Sequence, residues 1–527
     1  MQKIYFVTKL VFCFLILSCS TQTTETKKYD FLQDPKTSTL QKFKTLLKKG
    51  HPDLPLEEEA LNLLHTFYRA NNYQRMHTTD SSFTDVGLSW RQTFRKHEYF
   101  GLPRNRLSNT KNGNLLIQEL LLSYNLGTAI RDLDSGFIDF EQEKYKEKKW
   151  SPIPLKWQFV KKNTDALLRS RGPLDSTYRY FAQHLFQFRD TAKIDTIAFS
   201  LITEKEDKKL AWQKLKLALI GQGSISEITD SLSIRKALRS YQKSHGLIAD
   251  GLIGKATVIS FAESSQTRFQ RAMIALDRLR QEKIKPKSYV EINIPSFSLS
   301  FVAKDTLRSQ HKIIVGKIDH QTPTLESKIY RIMTLPYWKV PSSIARKEVL
   351  PSLKRNAAYL EKEHMRIYKS QNKEVNAATI NWKKVKDNTF PYQIIQDPGP
   401  WNSLGLIKFE FNNNFSVYVH DTPSRYLFGQ SFRSFSHGCM RCEQPIELAK
   451  LMLTYDQKAN KLNPVTPDSL QMLIDQGVHQ AIPLLNHLPI FVNYTSVTAD
   501  QKGLYFHLDL YQRDQKLLRI LRTENNG

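Results

Sequence analysis

Apolar positions fall into two regimes along the 527-residue chain. From Leu40 to Asp195 they recur every three or four residues, as at Leu116, Leu120 and Tyr124, or at Tyr178, Phe181, Leu185 and Phe188. This period predicts helices whose apolar stripes meet in a core. In "LSIRKALRSYQKSHGLIADGLIGKATVISF" (Leu232 to Phe261), Ile234, Leu238 and Tyr241 share one helical face. His245-Gly246 ends that helix, Asp250-Gly251 makes a turn, and a second apolar helix starts at Thr257. After an Arg- and Lys-rich helix, Arg268 to Lys287, the period drops to two. Val290, Ile292 and Ile294, then Phe297, Leu299 and Phe301, alternate with polar residues, and "KIIVG", "GLIKFEF" and "FSVYVH" read as further strands. The charged stretch from Ala345 to Pro398 interrupts them and predicts an inserted cap. The expected fold class is therefore multidomain α+β. A helical scaffold spans 40–212, a smaller helical unit 213–265, a linking helix 266–287, a mainly β domain 288–513 with a cap at 345–398, and a C-terminal tail 514–527. Several domains are what a chain of this length requires.

Charge and the first residues narrow the partners. A formal net charge of +26 favours phosphates or carboxylates, whether on nucleic acid, an anionic membrane or acidic wall polymers. Lys3 and Lys9 flank the start of an apolar run, Leu10 to Leu17, that leads into Ser18 and Cys19. This reads as an export signal over 1–18; a membrane span needs roughly 20 apolar residues. The ending resembles a bacterial lipobox, which implies that Cys19 carries lipid and that residues 19–39 tether the protein to a membrane of the cell envelope, in the periplasm. A soluble exported protein cut nearby is the alternative. Nucleic acid is disfavoured by the export signal and by the lack of a binding motif. The remaining basic surplus reads as a solvated surface. With Cys13 in the signal and Cys19 lipidated, Cys439 and Cys442 alone belong to the folded body, so no disulfide framework is expected. An exported chain that keeps a thiol keeps it for chemistry.

That chemistry centres on "FSHGCMRCEQP", Phe435 to Pro445. Alternation in the strand Phe415 to His420 places Phe415, Val417 and Val419 toward the core and Ser416, Tyr418 and His420 toward a cleft. Cys439 follows His420 by nineteen residues, and an imidazole that accepts the thiol proton creates a nucleophile. A backbone carbonyl in "HDTP" is expected to hold the working tautomer. The amides of Gly438 and Cys439 are expected to receive an oxyanion, beside a glycine with no side chain to block substrate. Acyl transfer fits this set; that it needs no metal or cofactor is what the family resemblance given below implies. The C-x-x-C spacing leaves other readings open: a redox pair, a zinc site from Cys439, Cys442, His437 and His420, a reversible Cys439–Cys442 disulfide, or a Cys442 that simply fills an apolar niche.

His420, fifteen intervening residues and then Ser436-His437-Gly438-Cys439 resemble the signature of the L,D-transpeptidase (YkuD-type) catalytic domain. "PYWKVPSSIARKEVLPSL", "GPWNSLGLIKFEF" and "HDTPSRYLF" resemble its large YcbB-like branch, and "YQKSHGL" through "DGLIGKAT" resembles a small three-helix peptidoglycan-binding module. The resemblance implies a β-sandwich catalytic domain acting on peptidoglycan stem peptides and glycan. It implies Cys439 as nucleophile, His420 as general base, His437 as an auxiliary, and Tyr418 with Gly438 near the oxyanion. Arg441 would meet a substrate carboxylate, with a surface pair to Glu443 or Glu447 as the alternative. Ser436, Trp338 and Asn402 would line the substrate side. The implied reaction is 3→3 cross-linking through a thioester with loss of D-alanine, and acylation by carbapenems. An L,D-carboxypeptidase, an enzyme attaching proteins to the wall, and a wall-binding scaffold with a vestigial site are the competing readings.

Overall fold

The computed structural model describes residues 31–103, 107–108, 113–146, 164–191, 231–369, 373–459 and 465–522. The export signal, Cys19, most of the tether and residues 213–230 of the smaller helical unit lie outside these. The first described helices are α1 (Thr39–Lys49), α2 (Glu58–Ala70), α3 (Asp85–Arg95) and α4 (Leu115–Ser135). Ser38, Thr84 and Asn114 cap α1, α3 and α4 by accepting from first-turn amides. α4 is buried on nearly every side: Leu116, Leu120 and Tyr124 face the α1–α2 core, while Leu122, Leu126 and Leu133 join that of α3. Glu119 of α4 is buried because donors replace its water. It accepts from the amides of Met76, His77 and Thr78 at 2.7–2.8 Å and from the Tyr68 hydroxyl at 2.7 Å.

α5 (Thr164–Arg169) and α6 (Ser176–Thr191) follow, then α7 (Ser231–Ser244), α8 (Lys255–Phe261) and α9 (Ser265–Gln281). α9 is the linking helix, and three of its arginines depart from the expected solvated basic surface. Arg268, Arg271 and Arg280 are buried. Arg271 pairs with Glu263 at 2.8 Å and Asp514 at 3.0 Å. Arg280 meets Asp277 at 3.3 Å, the Tyr178 hydroxyl at 3.2 Å and the Phe100 carbonyl at 2.6 Å. Guanidinium groups survive burial where carboxylates and carbonyls surround them.

The β-rich part contains β1 (Tyr289–Asn293), β2 (Ser298–Ala303), β3 (Thr306–Gly316), β4 (Leu325–Thr334), β5 (Ile407–Phe411), β6 (Val419–His420), β7 (Ser434–Ser436), β8 (Met440–Cys442) and β9 (Gln480–Asn493). Their order is β7-β3-β8-β6-β5-β4-β9-β1-β2, and β2 also pairs with β3. The expected two-sheet sandwich is thus replaced by one sheet that closes on itself, which removes most free edges. Val290 and Ile292 stand opposite Phe301 and Leu299, so the alternating residues share one core. α10 (Pro445–Ala459) adds Leu448, Ala449, Met452 and Leu453 to it.

The insertion builds its own sheet from Trp338–Lys339, Gln393–Gln396, Met365–Lys369 and Lys373–Glu374. Val340, Val349, Leu350, Leu353, Ile367 and Ile394 form its apolar centre, so it begins at Trp338, ahead of the expected boundary at Ala345. The expected tail is instead a helix, α11 (Arg513–Arg522), with Asp514, Leu517, Leu518 and Leu521 buried. In "RDQKLLRILR" Leu517, Leu518 and Leu521 fall on one helical face, and that face completes the core around Trp90 and Leu126.

Candidate active site

β6 and β8 run parallel, with Val419 beside Met440 and His420 beside Arg441. On the other side of β6, Lys408 of β5 is the register partner of His420. Val419, Met440 and Cys442 enter the core, so alternation sends His420 and Arg441 to the opposite face, while Tyr418 and Cys439, just ahead of the two strands, are joined by a side-chain hydrogen bond. The sequence placed a strand over Phe415 to His420, but pairing begins only at Val419. Ser416 takes φ 57° and Phe415 is 58% exposed, which breaks the expected core face. Asn413 causes this: its side chain accepts from the amides of Phe415 and Val417 and donates to the carbonyls of Phe411 and Val417.

The loop carrying Cys439 is tied from behind. Gly438 adopts φ 113°, yet the nearest atom to a Cβ there would be 3.7 Å away, so backbone conformation and not space demands glycine. Ser436 Oγ accepts from the Gly438 amide at 3.1 Å and donates to the Cys439 carbonyl at 2.5 Å. Two expectations are corrected here. Ser436 is buried with its hydroxyl committed to the loop, and the Gly438 amide, expected at the oxyanion, is already engaged by that hydroxyl. Thr322 Oγ1 donates to the Gly438 carbonyl at 2.8 Å, and the Tyr511 hydroxyl accepts from the Thr322 amide at 3.1 Å.

Asn402 is also corrected. It is fully buried, donates to the carbonyls of Gln396 and Asp397, and accepts from the Leu404 amide. Its amide is spent on shaping the 396–405 turn and lines no groove. Trp338 does reach the site, where its side chain hydrogen bonds with the Tyr418 phenol. Burial, then Cys439, raises that phenol and keeps it protonated. Its ring stands edge-on to His420 at 5.5 Å.

Burial pushes the Cys439 thiol up, against Tyr418, Lys408 and Arg441, which favour thiolate. Burial, then the Arg441 guanidinium, holds His420 down to about 3, so its imidazole is neutral and free to accept a proton. No hydrogen bond of ordinary geometry holds His420 Nδ1 among the described residues, while backbone groups of Asp421 and Leu404 work against the depression. Arg441 makes no ion pair or hydrogen bond among the described residues, and its Nε is buried. The alternative surface pairs do not form: Glu443 pairs with Lys312 at 3.1 Å and Glu447 with Lys450 at 3.6 Å. Lys408, in contrast, sits 2.7 Å from Glu410 and 4.3 Å from the Tyr418 ring centre. Cys442 is 1% exposed, with its thiol driven up by burial, and both cysteines are free. It lies on the other face of β8 from Cys439, so it joins neither a disulfide nor a metal site with it.

Residues 287–466 match the family model of YkuD, the L,D-transpeptidase catalytic domain. Over these residues the chain is similar to an L,D-transpeptidase catalytic domain. A Haemophilus influenzae protein that bears the name L,D-transpeptidase is 28% identical over 226 residues, 43% of this chain and 44% of that relative. The chain therefore spans less than half the length of the relative it matches. An L,D-transpeptidase from Mycobacterium smegmatis of known structure is 12% identical, covering 39% of this chain and 58% of that one, with a TM-score of 0.19, too low to compare the folds. β9 and α11 lie beyond the match, yet β9 pairs with both β4 and β1 to complete the closed sheet.

Four residues of this candidate site escaped the sequence reading: Thr322 and Tyr511 behind Gly438, Lys408 beside His420, and Glu348 of the cap, whose Oε1 is 2.6 Å from His437 Nε2. Lys408 was accessible to that reading, since "GLIKFEF" alternates and puts its lysine opposite the core face. The others depend on contacts between distant segments.

Proposed function

We propose that the chain is a peptidoglycan L,D-transpeptidase that forms 3→3 cross-links through a thioester on Cys439. One observation carries this reading: the Tyr418 phenol hydrogen bonds with the Cys439 thiol and with Trp338 of the cap, just ahead of the strands on which His420 and Arg441 stand side by side. A donor carboxylate docks on Arg441, whose buried Nε has no hydrogen-bond partner among the described residues. Docking neutralises the cation that, after burial, most depresses His420, so proton affinity rises when substrate is in place. The Cys439 proton passes to His420 and the sulfur attacks the carbonyl of the third stem residue. The C–S bond forms, the C–N bond to D-alanine breaks, and the imidazolium returns its proton to the leaving amine. The Cys439 amide and the protonated Tyr418 phenol donate to the oxyanion. An acceptor amine then displaces the sulfur. The export signal, the lipid anchor at Cys19 and the wall-binding module fit an enzyme of the cell envelope, and carbapenems are expected to acylate Cys439.

The test is to incubate the mature chain with purified disaccharide-tetrapeptide and weigh enzyme and products by mass spectrometry. An acyl adduct on Cys439 with a cross-linked dimer is expected. Hydrolysed stem peptide alone would make it a carboxypeptidase, and binding without acylation a wall-binding scaffold; either outcome overturns the proposal.

A further inference from the structure

The cap reaches the catalytic row through two side chains. Trp338, on its first strand, meets the Tyr418 phenol. Glu348, on the helical turn Ala345–Val349, stands 2.6 Å from His437 Nε2 across 89 positions of sequence. A carboxylate at Nε2 selects the tautomer with its proton there and leaves the lone pair on Nδ1. His420 has a different setting. It is 4% exposed and flanked in register by Lys408 and Arg441, so a positive charge on it is opposed from both sides. His437 is 27% exposed, one residue from the nucleophile's glycine, and faces a carboxylate. A second substrate that arrives from solvent after Cys439 is acylated finds His437 more open than His420.

We propose that His437 is the base of the second half-reaction and that Glu348 is its positioning residue, so that this catalytic group is complete only with the cap seated on the barrel. This inference rests on the transpeptidase reading above. The acceptor enters as the free amine. Its nitrogen attacks the thioester carbonyl, the C–N bond forms, and the N–H proton passes to His437 Nδ1. The C–S bond breaks with its electron pair on sulfur, and the imidazolium, stabilised by Glu348, returns the proton to the Cys439 thiolate. Bonds and protons balance with no further reactant. The titratable groups around His437 are Glu348 from the cap, His320 with its ring 5.1 Å away and Asp319 beside it at 3.1 Å, Lys317 in that same loop, and Cys439 on its own segment.

The two half-reactions separate the roles. The full chain and its Glu348→Gln and Glu348→Asp variants are acylated with disaccharide-tetrapeptide, and acceptor stem peptide is added in a second mixing step followed by quench and mass spectrometry. With Glu348→Gln, acylation stays within roughly twofold while transfer slows by roughly tenfold or more. Glu348→Asp recovers much of the transfer rate. The inference is overturned if both half-reactions slow together without rescue by Glu348→Asp, which a merely structural cap contact predicts, or if transfer is unaffected. No acyl-enzyme in the unsubstituted chain overturns the parent reading and this one with it.

Discussion

Cys439 and Cys442 stand three positions apart, and the strand between them sends them to opposite surroundings. Cys439 sits in the row with Tyr418 and Arg441, while Cys442 packs among Ile313, Val419 and α10 in the barrel core. Cys442→Ala should therefore leave turnover of stem peptide unchanged and lower stability by about 1 kcal/mol, the usual cost of shaving a buried side chain. Urea unfolding and a non-reducing peptide map after peroxide treatment check this. A Cys439–Cys442 disulfide, or lost activity with intact stability, contradicts it. The placement of His420 and Cys439 was legible because a two-residue period fixes faces and the chain supplies few thiols. Ser436 and Asn402 were misread for a different reason. A motif gives nearness to the nucleophile but not the direction of a hydroxyl or an amide, and both side chains turn inward to satisfy local backbone groups. Glu348 was not legible at all, since nothing local marks a carboxylate that meets its partner only after the cap folds.

At the scale of elements, the strands of the barrel were readable from alternation, and its closure was not. Periodicity says that β2 is half-buried, but not that it pairs with β3 as well as β1. Likewise the cap read as a charged interruption, because its core is assembled from short, irregular pieces with no sustained period. The junction between cap and barrel is the turn that Asn402 organises. Its side chain satisfies two carbonyls and one amide, and the Gln396 side chain adds a fourth tie by accepting from the Ser403 amide. Asn402→Ala leaves these buried groups unpaired, which costs about 2 kcal/mol. The expected signature is a lower urea midpoint and a smaller active fraction, with KM for the donor unchanged in the molecules that remain folded. A raised KM with normal stability would return Asn402 to the substrate groove.

For the whole molecule, acid sensitivity follows from where its histidines lie. Burial holds His420 and His507 each down to about 3 and lowers His245 well below its usual value. His245 and His507 mark the seam where the unit of α7 and α8 meets the C-terminal part: the His245 ring stacks 5.8 Å from Phe506, and His507 lies against Gly246. A depressed histidine stays neutral in the native state while the unfolded chain protonates near 6.5. The stability it contributes is complete above that pH and is lost progressively as pH falls toward the native value. At pH 5 this amounts to about 2 kcal/mol each for His420 and His507. Asp509 works the other way. Burial, then Asp514, raises it to about 6, so the native state takes up its proton first and returns about 1 kcal/mol at pH 5. The histidines win, and the urea midpoint should fall between pH 7 and pH 5. His507→Gln removes one of these groups and should flatten that dependence even where it lowers stability at pH 7. An equal midpoint at the two pH values, or an unchanged slope in the variant, would mean that the seam opens to water before the chain unfolds.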